Sequence, residues 1–345
     1  MSTRRLPSFR LLALVATASL FLTAIDATAG TLKIATLAPG GSSWIREMKA
    51  AGDRIAKATD GRVKLKFYPG GVMGNDETVL RKMRAGQLHG GAFPSGSLAK
   101  ILPDGDLYSL PLMFRSYDEV DYVRERLDAD LVTAFERKGL IVLALGDNGF
   151  AYFMSARPVR AVADLERAKV WIPQGDIMSE TALKVSGVSP IQLPVPDVYT
   201  GLQTGLIDTV AAPPIGAIAF QWHTKVKYVT DEPLMYLLGL MVLDAKAWRK
   251  IAPADQEVVR KSVQAVVAEL DKENRAGERN AYEALQAQGI EIVQPSSQEE
   301  LERWHDITAK ALVELRNKNI YSNERIDRIQ SLVAEYRRSN GNDGD

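Results

Sequence analysis

The sequence predicts an α/β protein of two lobes, and three observations lead to that prediction. Short apolar strands alternate with amphipathic helices between residues 157 and 214, which is the βα repetition of a sheet covered by helices. About 316 residues follow the predicted leader at 1–29, more than one hydrophobic core usually supports. A helical run from Ala254 to Gln288 would be on the order of 50 Å long, enough to reach across both lobes. A helix broken near Glu273–Gly277 is the alternative.

The first residues have the pattern of a secretory signal peptide. The basic start carries Arg4, Arg5 and Arg10. The apolar run 11–22 follows, and an Ala-x-Ala cleavage pattern ends at Ala29. The run is shorter than the ~20 residues that span a bilayer, so a cleaved leader is favoured over a membrane anchor. We therefore predict export to the periplasm with cleavage near Ala29.

The composition argues against several other classes of protein. Basic and acidic residues balance at 43 each, so no long-range field would attract nucleic acid or an anionic membrane. Cysteine is absent, and the histidines His89, His223 and His305 are far apart without the spacing of metal ligands. No nucleophile with an adjacent base stands out either. We predict no enzyme activity, no metal or cofactor, and no nucleic-acid partner.

The first lobe is predicted to begin with two alternating strands, each followed by a helix. The strand Thr31–Leu37 is followed by Ser42, which offers an N-cap for a helix that carries Trp44. The second strand, at 61–71, ends in a Gly-rich turn without the pattern of a phosphate loop. Trp44 stands at a strand-loop-helix junction, where α/β proteins often bind ligands. We predict that it faces the cleft, with a core position as the alternative.

Two segments are predicted to cross between the lobes. The buried strand 139–145 leads through Asp147 and Gly149 to the first crossing, and the apolar run 234–243 is long enough to cross back. The predicted boundaries are 30–148 plus 237–276 for lobe I, 149–236 plus 277–337 for lobe II, and 338–345 for a disordered tail.

Several separated motifs occur in the order of a known family. They are Arg157-Pro158, Asp164-Leu165, Lys169–Pro173 and Val198–Asp208. On these motifs the chain resembles the DctP-type solute-binding proteins of tripartite ATP-independent periplasmic (TRAP) transporters, from about Thr31 to about Val267. The resemblance implies a two-lobed periplasmic binding protein fold with a hinge and a long helix spanning both lobes. It also implies TRAP membrane permease subunits as partners, driven by an ion gradient.

Three positions depart from what the resemblance implies for binding a carboxylate. The family usually has a ligand-clamping Arg third in the Lys169–Pro173 strand, where this chain has Trp171. A second cation usually follows the Asn-Gly-Phe motif, where Ala151 stands, and a ligand-facing Asn falls at about Ala212. An indole and two methyl groups offer no charge compensation to a buried anion. We therefore predict a small apolar or uncharged ligand, stabilised by apolar burial.

Aromatic and apolar residues around the crossings complete the expected site. The predicted ligand-binding residues are Trp44, Phe150, Tyr152, Trp171, Pro173, Val195, Tyr199, Ala212, Pro213 and Trp222. Two alternatives stay open. Another cation, such as Arg115 or Lys225, holds an organic acid from a different place, or the chain is a periplasmic interaction protein outside transport. A hydrophobic ligand would also suit a helical-repeat periplasmic partner, which some TRAP receptors are thought to use.

Overall fold

A computed structural model describes residues 30–340 and shows two α/β lobes. The strands are β1 (Thr31–Thr36), β2 (Lys64–Tyr68), β3 (Gly90–Pro94), β4 (Leu140–Ser155), β5 (Trp171–Pro173), β6 (Ile191–Leu193), β7 (Thr209–Ala212), β8 (Tyr228–Thr230), β9 (Met235–Asp244) and β10 (Glu291–Val293). The helices are α1 (Ser43–Ala58), α2 (Asp76–Arg84), α3 (Tyr117–Arg137), α4 (Val162–Glu166), α5 (Ile177–Val185), α6 (Val198–Thr204), α7 (Pro214–Ala219), α8 (Ala245–Trp248), α9 (Pro253–Ala287), α10 (Gln298–Asn317) and α11 (Asn323–Asn340). Short 3₁₀ helices lie at Ser95–Leu98, Pro103–Ser109, Val195–Asp197 and Trp222–Lys225.

One curled sheet runs through both lobes. In the first lobe its strands have the order β2-β1-β3-β9-β4, with β1, β2 and β3 parallel and β9 antiparallel to both of its neighbours. In the second lobe β4 pairs with β7 and β8, and β8 pairs with β10. Strands β5 and β6 form a separate parallel pair. The two lobes therefore share β4.

Strand β4 carries the chain from the first lobe into the second. It pairs with β9 as far as Ala151, and its last residues, Tyr152–Ser155, pair with β7. The register shifts between Asp147 and Gly149, and a β-bulge of this kind bends a strand. Gly149 has a φ of 90°, a backbone conformation that glycine adopts without strain. The bend lies where the sequence predicts the first crossing.

Helix α1 illustrates how the local sequence sets an element and its buried face. The Ser42 side chain accepts a hydrogen bond from the backbone N–H of Ile45 and caps the helix. Ile45, Met48 and Ile55 recur at helical spacing and are fully buried in the core that α1 shares with β1, β2 and α9. Burying each of these side chains contributes roughly 1.5–3 kcal/mol to folding.

Helix α9 spans both lobes, as the sequence predicts. It has 35 residues and continues through Glu273–Gly277, so the alternative of a broken helix is wrong. Val259, Val263 and Leu270 are buried in the first-lobe core beside α1. Nearer its end, Leu285 is buried in a core cluster of the second lobe.

The two C-terminal helices cover different lobes. Helix α10 packs against α5 and buries Trp304 in the second lobe. Helix α11 packs against α3 of the first lobe, where Arg337 makes paired hydrogen bonds of 2.7 and 2.9 Å to the Glu119 carboxylate. The assignment of all of 277–337 to lobe II therefore fails for α11, because its apolar face is buried in the first-lobe core. The helix also continues to Asn340 and includes the start of the predicted disordered tail.

Some predictions concern residues that the structure does not describe. The predicted signal peptide at 1–29 and the chain end at 341–345 lie outside the described range. Among helices between residues 30 and 340, none is long and apolar enough to cross a membrane. The other lobe boundaries stay a prediction.

A buried ion-pair network holds the crossing of β4. The Asp147 side chain is 1% exposed and accepts hydrogen bonds from Arg124 of α3, Arg275 of α9 and the Tyr236 hydroxyl of β9. The Asp147 backbone N–H donates to the Asp271 carboxylate of α9 at 2.8 Å. Four elements therefore meet at one carboxylate.

Replacing Asp147 by Asn tests the importance of this network. The change leaves two guanidinium groups without their shared anion, so we expect the free energy of unfolding to fall by about 3–5 kcal/mol. Urea denaturation followed by tryptophan fluorescence measures it. The control is Glu269→Gln at the exposed Lys272–Glu269 pair of α9, where ~0–1 kcal/mol is expected. Equal, small losses in both variants would contradict the role assigned to Asp147.

Candidate functional site

A large cleft lies between the lobes and is lined by residues of both. Its volume is about 840 Å³, within the range of 300–1,000 Å³ typical of ligand pockets. The first lobe contributes the segments after β1 and β3, and the second contributes β5 and the segment after β7. The β4 crossing and α9 form its floor and side. Strand ends and helix starts thus converge where α/β proteins usually bind ligands.

Most of the predicted site residues line this cleft. They are Trp44, Trp171, Pro173, Val195, Ala212, Pro213 and Trp222. Ala151, where the family usually has a cation, lines it as well. The structure therefore brings together the three positions at which the sequence departs from the family pattern. Contact of these residues with a ligand stays a prediction.

Trp171 offers hydrocarbon to the cleft. Its indole N–H donates a hydrogen bond of 3.0 Å to the Leu193 carbonyl, so the donor is used within the second lobe. The Trp171 indole packs edge to face against Trp222, with ring centroids 5.2 Å apart, and Trp222 stacks on Phe220. Such aromatic contacts fix the side chains and leave an apolar wall. A carboxylate placed here would lose its hydration without gaining a donor.

Three predicted site residues do not line the cleft. Phe150 packs in the first-lobe core between Tyr117 and Tyr236, with ring centroids 5.0 and 5.7 Å away. Tyr152 packs edge-on against Tyr282, and Tyr199 lies under the Lys225 ammonium. For the two residues of β4 the reason is strand geometry, because successive side chains point to opposite faces.

Five aromatic residues that line the cleft were not among the predicted site residues: Phe93, Tyr117, Phe153, Phe220 and Trp304. Phe153 alternates with Tyr152 along β4 in the same register as Ala151, so the strand period of two could have found it. Phe220 precedes Trp222 in the segment after α7. Trp304 comes from α10, far along the chain, and no sequence signal placed it near the cleft.

The described cations that line the cleft are all on the first lobe. They are Arg81 and Arg84 of α2, together with Lys100. All three are exposed, and Lys100 lies 3.4 Å from the Glu77 carboxylate. Neither Arg115 nor Lys225, the relocated cations suggested from the sequence, lines the cleft.

Carboxyl groups, by contrast, reach the cleft interior. Asp106 accepts a 2.9 Å hydrogen bond from the Ser95 hydroxyl, and Asp176 caps α5. Burial raises the pKa of both carboxyls, and the charge of Asp176 raises the pKa of Asp106 further. Burial also raises the pKa of Asp76 to about 6, against the opposing hydrogen bond from Ser97. These carboxyls supply no positive charge that could pair with a further anion.

The Asp106 carboxyl links stability to pH. Its raised pKa means that the folded protein keeps a proton that the unfolded chain releases, so the associated stability is present below about pH 4 and is lost as the pH rises through the raised value. Asp106→Asn cannot ionise and can still accept the Ser95 hydrogen bond. We expect its Tm to fall a few degrees less than that of the wild type between about pH 5 and about pH 8.5. Asp130→Asn, on the exposed surface of α3, serves as the control. Parallel curves for all three proteins would contradict a buried, neutral Asp106.

Comparison with known proteins places the chain in a family. Residues 34–319 match the model of DctP, bacterial extracellular solute-binding protein, family 7. The 2,3-diketo-L-gulonate-binding periplasmic protein YiaO of Escherichia coli is 28% identical over 254 residues, which are 71% of this chain and 75% of the relative. The C4-dicarboxylate-binding periplasmic protein DctP of Rhodobacter capsulatus is 25% identical over 288 residues, or 81% and 84% of the two chains.

A solved structure shows the same fold. The sugar acid binding protein DctPAm of Advenella mimigardefordensis, in complex with galactonate, superposes with a TM-score of 0.82 at 19% identity. The match covers 89% of this chain and 99% of the other. The family consists of binding receptors, so the chain is not an enzyme. The chain belongs to family 7 of the bacterial extracellular solute-binding proteins, the periplasmic receptors of TRAP transporters.

Proposed function

We propose that this TRAP receptor captures a small organic acid, with the carboxylate at the cleft mouth and a less polar body inside. The observation that carries the proposal is the distribution of charge. Among the described lining residues, the Arg and Lys side chains are Arg81, Arg84 and Lys100, whereas Ala151 and Trp171 stand in the interior. The acid corresponds to the alternative that the sequence left open, with the cations in a different place.

Similar proteins support an acid as the ligand class. The relatives named above are a 2,3-diketo-L-gulonate-binding and a C4-dicarboxylate-binding protein, and the solved structure holds galactonate. Each of these ligands carries at least one carboxylate. None of these names supports the hydrophobic ligand predicted from the sequence.

The interior of this cleft argues against the family's usual position for that carboxylate. Trp171 and Ala212 offer no positive charge, and neither do the Asp106 and Asp176 carboxyls. An unpaired anion buried there would pay a large desolvation penalty. At the mouth, Lys100 and the two α2 arginines can pair with a carboxylate that keeps part of its hydration. The same ligand can then bury a less polar body against the aromatic wall.

A wholly uncharged or apolar ligand is the second candidate. The cluster of Trp171, Trp222 and Phe220 favours it, because these rings form an apolar wall of the cleft. The indole N–H of Trp171 is already paired with the Leu193 carbonyl and is not available to a polar ligand. A helical-repeat partner that handles hydrophobic molecules belongs to this second candidate. It has no support among the relatives above and stays a prediction.

Delivery to the TRAP membrane subunits requires that the ligand favour one arrangement of the lobes. Residues of the two lobes approach each other at the mouth. A Cβ atom placed on Gly71 would lie 3.2 Å from Pro196, and one on Gly175 would lie 3.9 Å from the Lys100 side chain. The Lys100 side chain therefore lies next to the second lobe at the mouth of the cleft.

Native mass spectrometry of the protein purified from its own periplasm tests the proposal. Organic extraction then identifies whatever small molecule is released. A released mono- or dicarboxylic acid supports the proposal, whereas a neutral lipid-like or aromatic molecule supports the second candidate. The mass of the intact chain also tests the proposed cleavage after Ala29.

Lys100→Met tests the mouth as the carboxylate site. We expect the affinity for the extracted acid to fall about fivefold, as for the loss of one charge-assisted contact that is partly exposed. Isothermal titration calorimetry at low and high salt measures it, and the difference from the wild type should shrink with salt. The control is Lys49→Met on the exposed face of α1, away from the cleft. Unchanged affinity in the Lys100 variant would place the carboxylate elsewhere.

A further inference from the structure

The cleft extends into the hydrophobic core of the second lobe. The same cavity that lies between the lobes is also lined by side chains of that core, from β4, α4, β5, α5 and α10. They include Phe153, Val162, Leu165, Ile172, Leu183 and Trp304. We call this part of the cavity the inner branch. Protein cores are normally packed without large voids, because an empty cavity is unfavourable. A cavity bounded by core residues is therefore a candidate binding site.

Two hydroxyl groups near the inner branch have hydrogen-bond partners, whereas one buried donor has none. The Ser186 hydroxyl donates to the Leu183 carbonyl at 2.8 Å, and the Thr308 hydroxyl donates to the Trp304 carbonyl at 3.1 Å. The Trp304 indole N–H is buried and has no hydrogen-bond partner among the described residues. Trp304 itself is only 5% exposed. Buried donors without a partner are rare in folded proteins, and an indole N–H can only donate.

We propose that the inner branch is a subsite for the uncharged, apolar end of the ligand, and that the Trp304 indole N–H donates a hydrogen bond to an oxygen on that end. The proposal rests on the receptor function proposed above and narrows its ligand. The ligand would be an organic acid whose carboxylate stays at the mouth and whose apolar part carries a carbonyl, ether or hydroxyl oxygen.

The chemistry of the lining selects this class. Phe153 meets Trp304 edge to face at 6.0 Å, and the aliphatic side chains of α4 and α5 complete the wall. Apolar surface of this kind favours binding of a hydrocarbon group, because the favourable free energy of burial grows with the apolar area removed from water. The indole N–H of Trp304 then discriminates between ligands, because a ligand without an acceptor oxygen leaves this donor unpaired.

Indole NMR with two matched neutral probes tests the subsite. The chain has five tryptophans, and ¹⁵N labelling gives each indole N–H its own signal. Cyclohexanone carries an acceptor oxygen, and methylenecyclohexane has nearly the same shape without it. We expect cyclohexanone to move the Trp304 indole proton downfield and methylenecyclohexane not to do so. Trp248, which is similarly buried but does not line the cavity, is the internal control.

Trp304→Phe assigns the signal by its loss and should bind cyclohexanone about fivefold more weakly, the factor expected for one hydrogen bond. If that variant does not fold, nuclear Overhauser contacts with the Phe153 ring assign the signal in the wild type. An unmoved Trp304 signal, or equal shifts with both probes, would overturn the proposal. Neutral probes keep this result independent of the acid. If the Trp304 signal does not move but Lys100→Met weakens acid binding in a salt-dependent way, only the subsite proposal is wrong. If the Trp304 signal moves but the extracted molecule is neutral, only the proposed acid ligand is wrong.

Discussion

The rest of the structure depends on one negative charge held at the crossing between the lobes. Asp147 is buried where β4 bends, and partners from α3, α9 and β9 satisfy its carboxylate. Because a buried carboxylate is stable only with its partners in place, this arrangement ties the crossing to the first lobe and to the long helix. Arg275 extends the network to Asp121 through two further hydrogen bonds. The network therefore lies beside the bulge between Asp147 and Gly149, where the chain passes from one lobe to the other.

Electrostatics also divides the cleft into regions with different ligand preferences. The exposed cations of the mouth can pair with an anion that remains partly hydrated. The interior combines aromatic surface with carboxyls such as Asp106, which burial keeps protonated more readily than in water. One ligand can satisfy both regions only if its charge is at one end. A receptor of this kind would use the family's fold with a different placement of the charge.

The candidate site was partly predictable from the sequence, and strand geometry explains most of the difference. Trp171 and Ala212 were found because motifs fixed their positions on β5 and β7. Phe150 was predicted to line the cleft but is buried in the first-lobe core, whereas Phe153 lines the cleft and was not predicted. The alternation of side chains along β4, counted from Ala151, distinguishes the two residues. Trp304 could not be found, because its contact with β4 depends on how α10 packs and not on any local pattern.

The sequence by itself determined the fold class, the long helix α9 and the absence of cations at the positions of Ala151, Trp171 and Ala212. Local periodicity, capping and motif order carry that information, because each depends on neighbours along the chain. Only the tertiary structure decided which side chains face the cleft, which lobe α11 covers and where the cleft's cations lie. These depend on contacts between residues far apart in sequence, such as Arg337 with Glu119, which no local pattern specifies.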